Sequence, residues 1–263
     1  MTRVHATAIV HPEAVLGDDV EIGPYCIVAD NVTIGNGTRV HEHVKIDRFT
    51  RIGDHCEIFF GAVLGHVSVD LKYRGGECWT IIGNRNVIRE YVSVSASSFE
   101  GKATVIGNNN LLMHWVNIAH DCVIGDRIIM ANFATLGGHV EMEGNARIGA
   151  HASFHQFVRV GRGAMAGACS KFVKDLPPYM VADGHPAQIR GLNLLGRETA
   201  VSHPMRDVPE ESVRLLKHAY RILCRSKLNT HQAIERIRSE IPADPHVEHL
   251  VRFIETSQRG ICK

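Results

Sequence analysis

At 263 residues, with 44% hydrophobic and 22% charged side chains, the chain has the composition of an ordinary globular protein and not of a disordered one. A net charge of +1 without any long run of Lys or Arg excludes the electrostatic footprint of a nucleic-acid binder. No apolar leader precedes the patterned N-terminus and no stretch of about 18 apolar residues occurs, so the expectation is a cytoplasmic protein that does not span a membrane.

Aromatic residues make up only 6% of the chain while Gly reaches 24 residues, which suits a narrow core of small and branched side chains. The seven cysteines (Cys26, Cys56, Cys78, Cys122, Cys169, Cys224 and Cys262) are odd in number and contain no CxxC. They read as reduced packing thiols, not as a disulfide framework or a zinc knuckle.

From the N-terminus an aliphatic residue recurs every six positions: Val4, Val10, Leu16, Ile22, Val28, Ile34, Val40, Ile46, Ile52, Ile58, Leu64. Gly often follows it, and a small or β-branched residue often stands four places on, as at Ala8, Cys26 and Thr38. After an interruption the period returns at Ile82, Ile88 and Val94, then resumes from Ile106 and continues to Phe172. Helical amphipathicity would repeat near 3.6 residues, so a strict six excludes it.

The hexad predicts an all-β solenoid, a left-handed parallel β-helix in which three short strands and their turns close one coil of 18 residues. The aliphatic residue points into the prism, glycine supplies backbone freedom at the turns, and stacked coils share a core that no single coil could bury. The predicted β-helix covers residues 1–190, with insertions near 67–80 and 95–103 that leave the prism as loops, where binding residues gather. Residues 191–263 form a C-terminal helical domain. Its first helix starts near Asp207 to Pro209, a second fits Thr230 to Ile241, and a third runs from Pro245 to about Ser257; together they cap the open end of the prism or extend from its side.

Coil register follows by arithmetic: His120, Gly138 and Gln156 are eighteen apart, as are Asp121 and His139. Acyl transfer to a hydroxyl or amine needs a general base, a group that orients it, and a donor for the oxyanion. His120, Asp121 and the backbone N–H of Gly138 fit these roles, and an acceptor that attacks directly needs no serine or cysteine nucleophile. A zinc site of imidazoles would want further histidines in the column, where Gly138 and Gln156 stand; no metal and no cofactor is expected. On the first predicted helix Arg214, Lys217, Arg221 and Arg225 share one face, which is either a solvated surface or a docking face for an acidic carrier protein.

The motifs Asp70-Leu-Lys72-Tyr73, Asn86-Val-Ile-Arg89-Glu90, Ile118-Ala-His120-Asp121-Cys122, Gly138-His139-Val140, His155-Gln156-Phe157 and Asp175-Leu-Pro-Pro-Tyr179 together resemble the UDP-N-acetylglucosamine O-acyltransferase family along the whole chain. The resemblance implies a homotrimer that moves a 3-hydroxyacyl group from acyl carrier protein to the 3-OH of a UDP-sugar, the first step of lipid A synthesis. It implies His120 as base, Asp121 as its orienting carboxylate and Gly138 as oxyanion donor. Asp70, Lys72, His139, His155, Gln156 and Asn193 are implied to line the substrate cleft, and Ala168 the end of the acyl groove.

The chain departs from that pattern at Ser95 to Ser98, where a His and an Arg are usual. It departs again at Asn117, which replaces a histidine, at Ala168, which replaces a glycine, and at Leu195 and Thr199, which replace charged residues. These changes touch recognition and leave the base pair intact. Three alternatives follow: acylation of another acceptor such as a 3-amino sugar nucleotide, use of an acyl-CoA donor, or a non-catalytic paralogue that binds a sugar nucleotide or carrier protein.

Overall fold

The computed structural model describes residues 1–194 and 203–263; Leu195 and Thr199 lie outside the described residues. Short strands, most of them two residues long, stack into three sheets of 11, 9 and 8 strands, and neighbouring strands pair in parallel except for the last two of the largest sheet. One sheet carries the register Val4, Ile22, Val40, Ile58, Ile88, Leu112, Met130, Ile148, Ala166. These hexad residues are the core: Ile58, Ile88, Leu112 and Met130 are fully buried. Each contributes roughly 1.5–3 kcal/mol of transfer free energy. The result is a three-sided parallel β-helix followed by three helices.

The steps from Ile58 to Ile88 and from Ile88 to Leu112 span thirty and twenty-four residues where a coil needs eighteen. The insertions therefore amount to twelve and six residues. They leave between the strands Val63–His66 and Trp79–Ile82, and between Ser93–Ser95 and Ala103–Ile106. Trp79 and Thr80 thus belong to a strand and not to the first loop.

The turns correct one expectation. Left-handed backbone at the turns falls mainly on residues with side chains, including Trp115 (φ 61°), Asp121 (φ 61°), Phe133 (φ 62°) and His139 (φ 60°). Most glycines that follow the aliphatic residue serve close approach between coils: a Cβ on Gly35 would stand 2.5 Å from the carbonyl carbon of Gly53. Turn N–H groups at one corner are satisfied by a side-chain ladder, in which Asn36 accepts from Asp18 N–H (2.7 Å), Asp54 from Asn36 N–H (2.7 Å) and Asp126 from Asn108 N–H (2.6 Å).

The hexads end in an antiparallel hairpin, Met180–Gly184 against Ala187–Leu192, which the six-residue period did not announce. The helices follow as α1 (Glu210–Arg225), α2 (Thr230–Glu240) and α3 (Pro245–Glu255). Asn229 and Gln232 form a capping box at α2, and Asp244 caps α3 while accepting from Ser212 of α1 (2.6 Å). Of the two placements open in the sequence, the flank of the last coils receives α3. His249 bonds Glu143 at 2.7 Å, the Arg159 guanidinium lies 4.4 Å from the Phe253 ring centroid, and Tyr179 bonds His246 at 3.1 Å. No helix among the described residues is long and apolar enough to cross a membrane.

Candidate active site

Coil stacking sets His120 directly beneath Gly138. A Cβ on Gly138 would stand 2.4 Å from His120 Cε1 and 2.6 Å from Nε2, so only glycine leaves room for the ring. His120 is buried, and its Nδ1 meets Asp121 Oδ2 at 2.8 Å. That contact assigns the Nδ1 proton to the carboxylate side and leaves the Nε2 lone pair for chemistry. Among the described residues no protein acceptor takes the Gly138 N–H, in contrast to the ladder corner, where side chains occupy the turn amides.

Asp121 is held from several directions. Ser97 Oγ donates to Oδ1 at 2.5 Å, Ser98 N–H reaches Oδ2 at 3.2 Å, and the Asp121 N–H itself donates to Thr104 Oγ1 at 2.8 Å. Burial would raise its carboxyl, but hydrogen bonds from Ser97, His120 and the Ser98 N–H hold it below the usual carboxylate range. Ser97 and Ser98 lie in the segment that departs from the family pattern, and they supply the donors that fix the carboxylate. The inserted loop that carries them sets no register, so sequence spacing gave no sign of this contact.

His139 faces the pair from the next coil. Its Nε2 is 3.7 Å from Asp121 Oδ2, and its ring packs edge-on to His120 with centroids 5.3 Å apart. Phe157, one coil further, stacks on His139 at 4.5 Å and 4°. Eighteen-residue arithmetic from His139 leads to Phe157, so the register alone could have found that support. A cleft of about 460 Å³ runs from Asp121 and His139 past Phe157 to Arg159, Gln258 and Arg259.

The first loop brings Asp70 to this centre, with ligand atoms of Asp70, His120 and His139 all within 4.8 Å of one another. Asp70 Oδ1 accepts the Lys72 N–H at 2.9 Å, and the Lys72 side chain is exposed. His155 and Gln156 are exposed on the coil above Gly138. Two other sequence candidates sit elsewhere on the same chain. Asn193 is buried, with Nδ2 donating to Gly163 O at 3.0 Å, on a different corner. Ala168 is exposed beside the turn residue Cys169, at the corner that carries Trp115, Phe133 and His151. Neither lies on the corner of Asp121 and His139 within one chain. Arg214, Lys217, Arg221 and Arg225 are all exposed on α1, opposite its buried Val213, Leu216 and Leu223.

The cysteines are free thiols, five of them buried and Cys169 exposed. Burial pushes the Cys122 thiol up to about 12, which suits packing and not nucleophilic work.

The "Bacterial transferase hexapeptide (six repeats)" profile matches residues 2–36, 13–48 and 103–138, within the coils of the β-helix. A second profile, "Udp N-acetylglucosamine O-acyltransferase; Domain 2", matches residues 175–262. The acyl-[acyl-carrier-protein]–UDP-N-acetylglucosamine O-acyltransferase of Thermodesulfovibrio yellowstonii is 45% identical over the full length of both chains. The solved LpxA structure from Acinetobacter baumannii superposes with a TM-score of 0.92 at 42% identity, covering 99% of each chain. That of the UDP-N-acetylglucosamine acyltransferase from Bacteroides fragilis gives 0.94 at 38% identity, covering 99% of this chain and 100% of that one. The chain belongs to the UDP-N-acetylglucosamine O-acyltransferase family and is an enzyme of the acyltransferase class.

Proposed function

We propose that the protein moves a 3-hydroxyacyl group from acyl carrier protein to the 3-OH of UDP-N-acetylglucosamine, the reaction that opens lipid A synthesis. The observation that carries this reading is the His120 imidazole, tied to Asp121 at 2.8 Å and packed against the Gly138 backbone. His120 Nε2 takes the proton of the acceptor hydroxyl as its oxygen attacks the thioester carbonyl. The carbonyl oxygen becomes an oxyanion and accepts from the Gly138 N–H. Collapse of the tetrahedral intermediate breaks the C–S bond, and the imidazolium returns its proton to the departing thiolate. Asp121 stabilises the imidazolium between the two transfers. The cycle needs no cofactor beyond the carrier-protein thioester.

Asp70, Lys72 and His139 are the residues of this chain assigned to the sugar nucleotide. Asn193 and Ala168, set on other corners of the prism, join such a site only when supplied by a second subunit, which supports a homotrimer with clefts between chains. A stripe of exposed rings offers the contact: Tyr91 stacks on Trp115 at 4.3 Å, Trp115 on Phe133 at 6.2 Å and Phe133 on His151 at 4.7 Å. Trp115 and Phe133 are 50% and 44% exposed, an apolar edge that assembly would cover. The coils are assigned the left-handed winding of the hexapeptide fold, and the protein a cytoplasmic location where carrier protein and sugar nucleotide are at hand. The basic face of α1 is assigned to the acidic carrier protein.

Incubation with UDP-N-acetylglucosamine and a panel of acyl carrier protein thioesters, with products identified by mass, tests the reading. A 3-O-(3-hydroxyacyl) product is expected. Product from acyl-CoA alone, or none from any thioester, would overturn it.

A further inference from the structure

We propose that the His120 centre binds a divalent transition metal, with Zn²⁺ favoured, through Asp70, His120 and His139, and that an occupied centre cannot transfer an acyl group. Each of the three offers one ligand atom, and these atoms lie within 4.8 Å of one another. Two imidazoles and one carboxylate with a fourth position open is the donor set of a catalytic-type zinc centre. Nitrogen donors of this kind select Zn²⁺ over Mg²⁺ and Ca²⁺, which prefer all-oxygen shells. Bringing the donors to bonding distance from one ion asks for closure of roughly 1.5 Å, a shift that falls to Asp70, which is half-buried and carried on a loop where the imidazoles sit on the coils.

The supporting contacts match what a zinc ligand requires. Asp121 at 2.8 Å from Nδ1 fixes the His120 tautomer with Nε2 available, the arrangement that raises imidazole basicity toward a metal. Phe157 holds the His139 ring by stacking at 4.5 Å, and the Lys72 N–H at 2.9 Å orients the Asp70 carboxylate. Sequence register hid the site because Asp70 enters from an insertion, outside the column of Gly138 and Gln156. The lone pair that would bind the metal is the one that takes the acceptor's proton. Metal and sugar nucleotide therefore compete, a consequence that rests on the assignment of His120 as base; the binding itself does not.

Equilibrium dialysis of the full chain against Zn²⁺ alone tests binding, with Asp70→Asn and His139→Asn as variants. Asparagine is chosen at His139 because it tolerates the left-handed backbone there (φ 60°). Cys169→Ser serves as the control, since the exposed Cys169 lines a separate cleft with His151 and His185. One tight Zn²⁺ per chain is expected, weakened at least about tenfold in each cleft variant and unchanged in Cys169→Ser, with Mg²⁺ not competing. Wild-type turnover should fall as zinc fills the site, recover with a chelator, and be protected by UDP-N-acetylglucosamine. Unchanged zinc affinity in both cleft variants, or its loss in Cys169→Ser, overturns the site. Turnover that survives full occupancy overturns the inhibition, and with it the role of His120, while the dialysis result stands by itself.

Discussion

The ring of His120 occupies the space where a side chain on Gly138 would begin, with His120 Cε1 only 2.4 Å from an ideal Cβ there. Gly138 has no left-handed φ, so its need for glycine comes from the imidazole and not from backbone strain. Gly138→Ala should therefore fold, displace the ring and misalign the N–H donor. Turnover should drop about 10²–10³-fold, the usual cost of losing an oxyanion donor, with circular dichroism unchanged. An alanine variant that turns over normally would show that the contact has no catalytic meaning.

Ser97 is the most specific test of how this chain compensates for its divergent loop. Its hydroxyl donates to Asp121 at 2.5 Å and helps hold that carboxyl low. Ser97→Ala should raise the Asp121 pKa, shift the acid limb of the kcat profile to higher pH, and slow turnover roughly tenfold. KM for the sugar nucleotide should change little. A purely structural role would leave the pH profile where it was.

Much of the architecture was legible in the hexad, because one inward aliphatic residue per six fixes strand, face and coil length at once. The pairing of His120 with Gly138 followed from counting eighteen. Ser97 and Ser98 beside Asp121 did not, since loop chain leaves the register and its geometry depends on packing. The hairpin Met180–Leu192 also escaped, as the repeat that revealed the rest had ended. Asn193 and Ala168, taken from resemblance, lie on other corners of the prism than His120, which the hexad spacing alone did not bring out.

Acid stability should depend on the junction between prism and helices. Burial alone would raise the Glu143 carboxyl, but the 2.7 Å bond and charge attraction of His249 hold it below its ordinary value. A folded-state pKa below the unfolded one means stability present above the unfolded value of about 4.3 and lost as pH falls through the folded value. Wild type should melt higher than Glu143→Gln near neutrality, and the two melting curves should converge in acid. Parallel curves across the pH range would contradict the sign.

The exposed ring column gives a prediction for assembly. Paired Trp115→Glu and Phe133→Glu substitutions place carboxylates at the apolar edge, where Trp115 and Phe133 stack in parallel at 3°. Sedimentation should then report monomer in place of trimer, and activity should fall with it if the proposed assembly completes the site. A trimer that persists would assign the stripe to another purpose.

The most direct test of the account is a single-turnover acyl-transfer assay comparing wild type with His120→Ala at saturating donor and UDP-N-acetylglucosamine. Loss of the base should slow the chemical step by about 10²–10⁴-fold while the assembly and its melting behaviour stay those of the parent. A variant that transfers the acyl group at the parental rate would contradict the assignment of His120 as the group that takes the acceptor's proton.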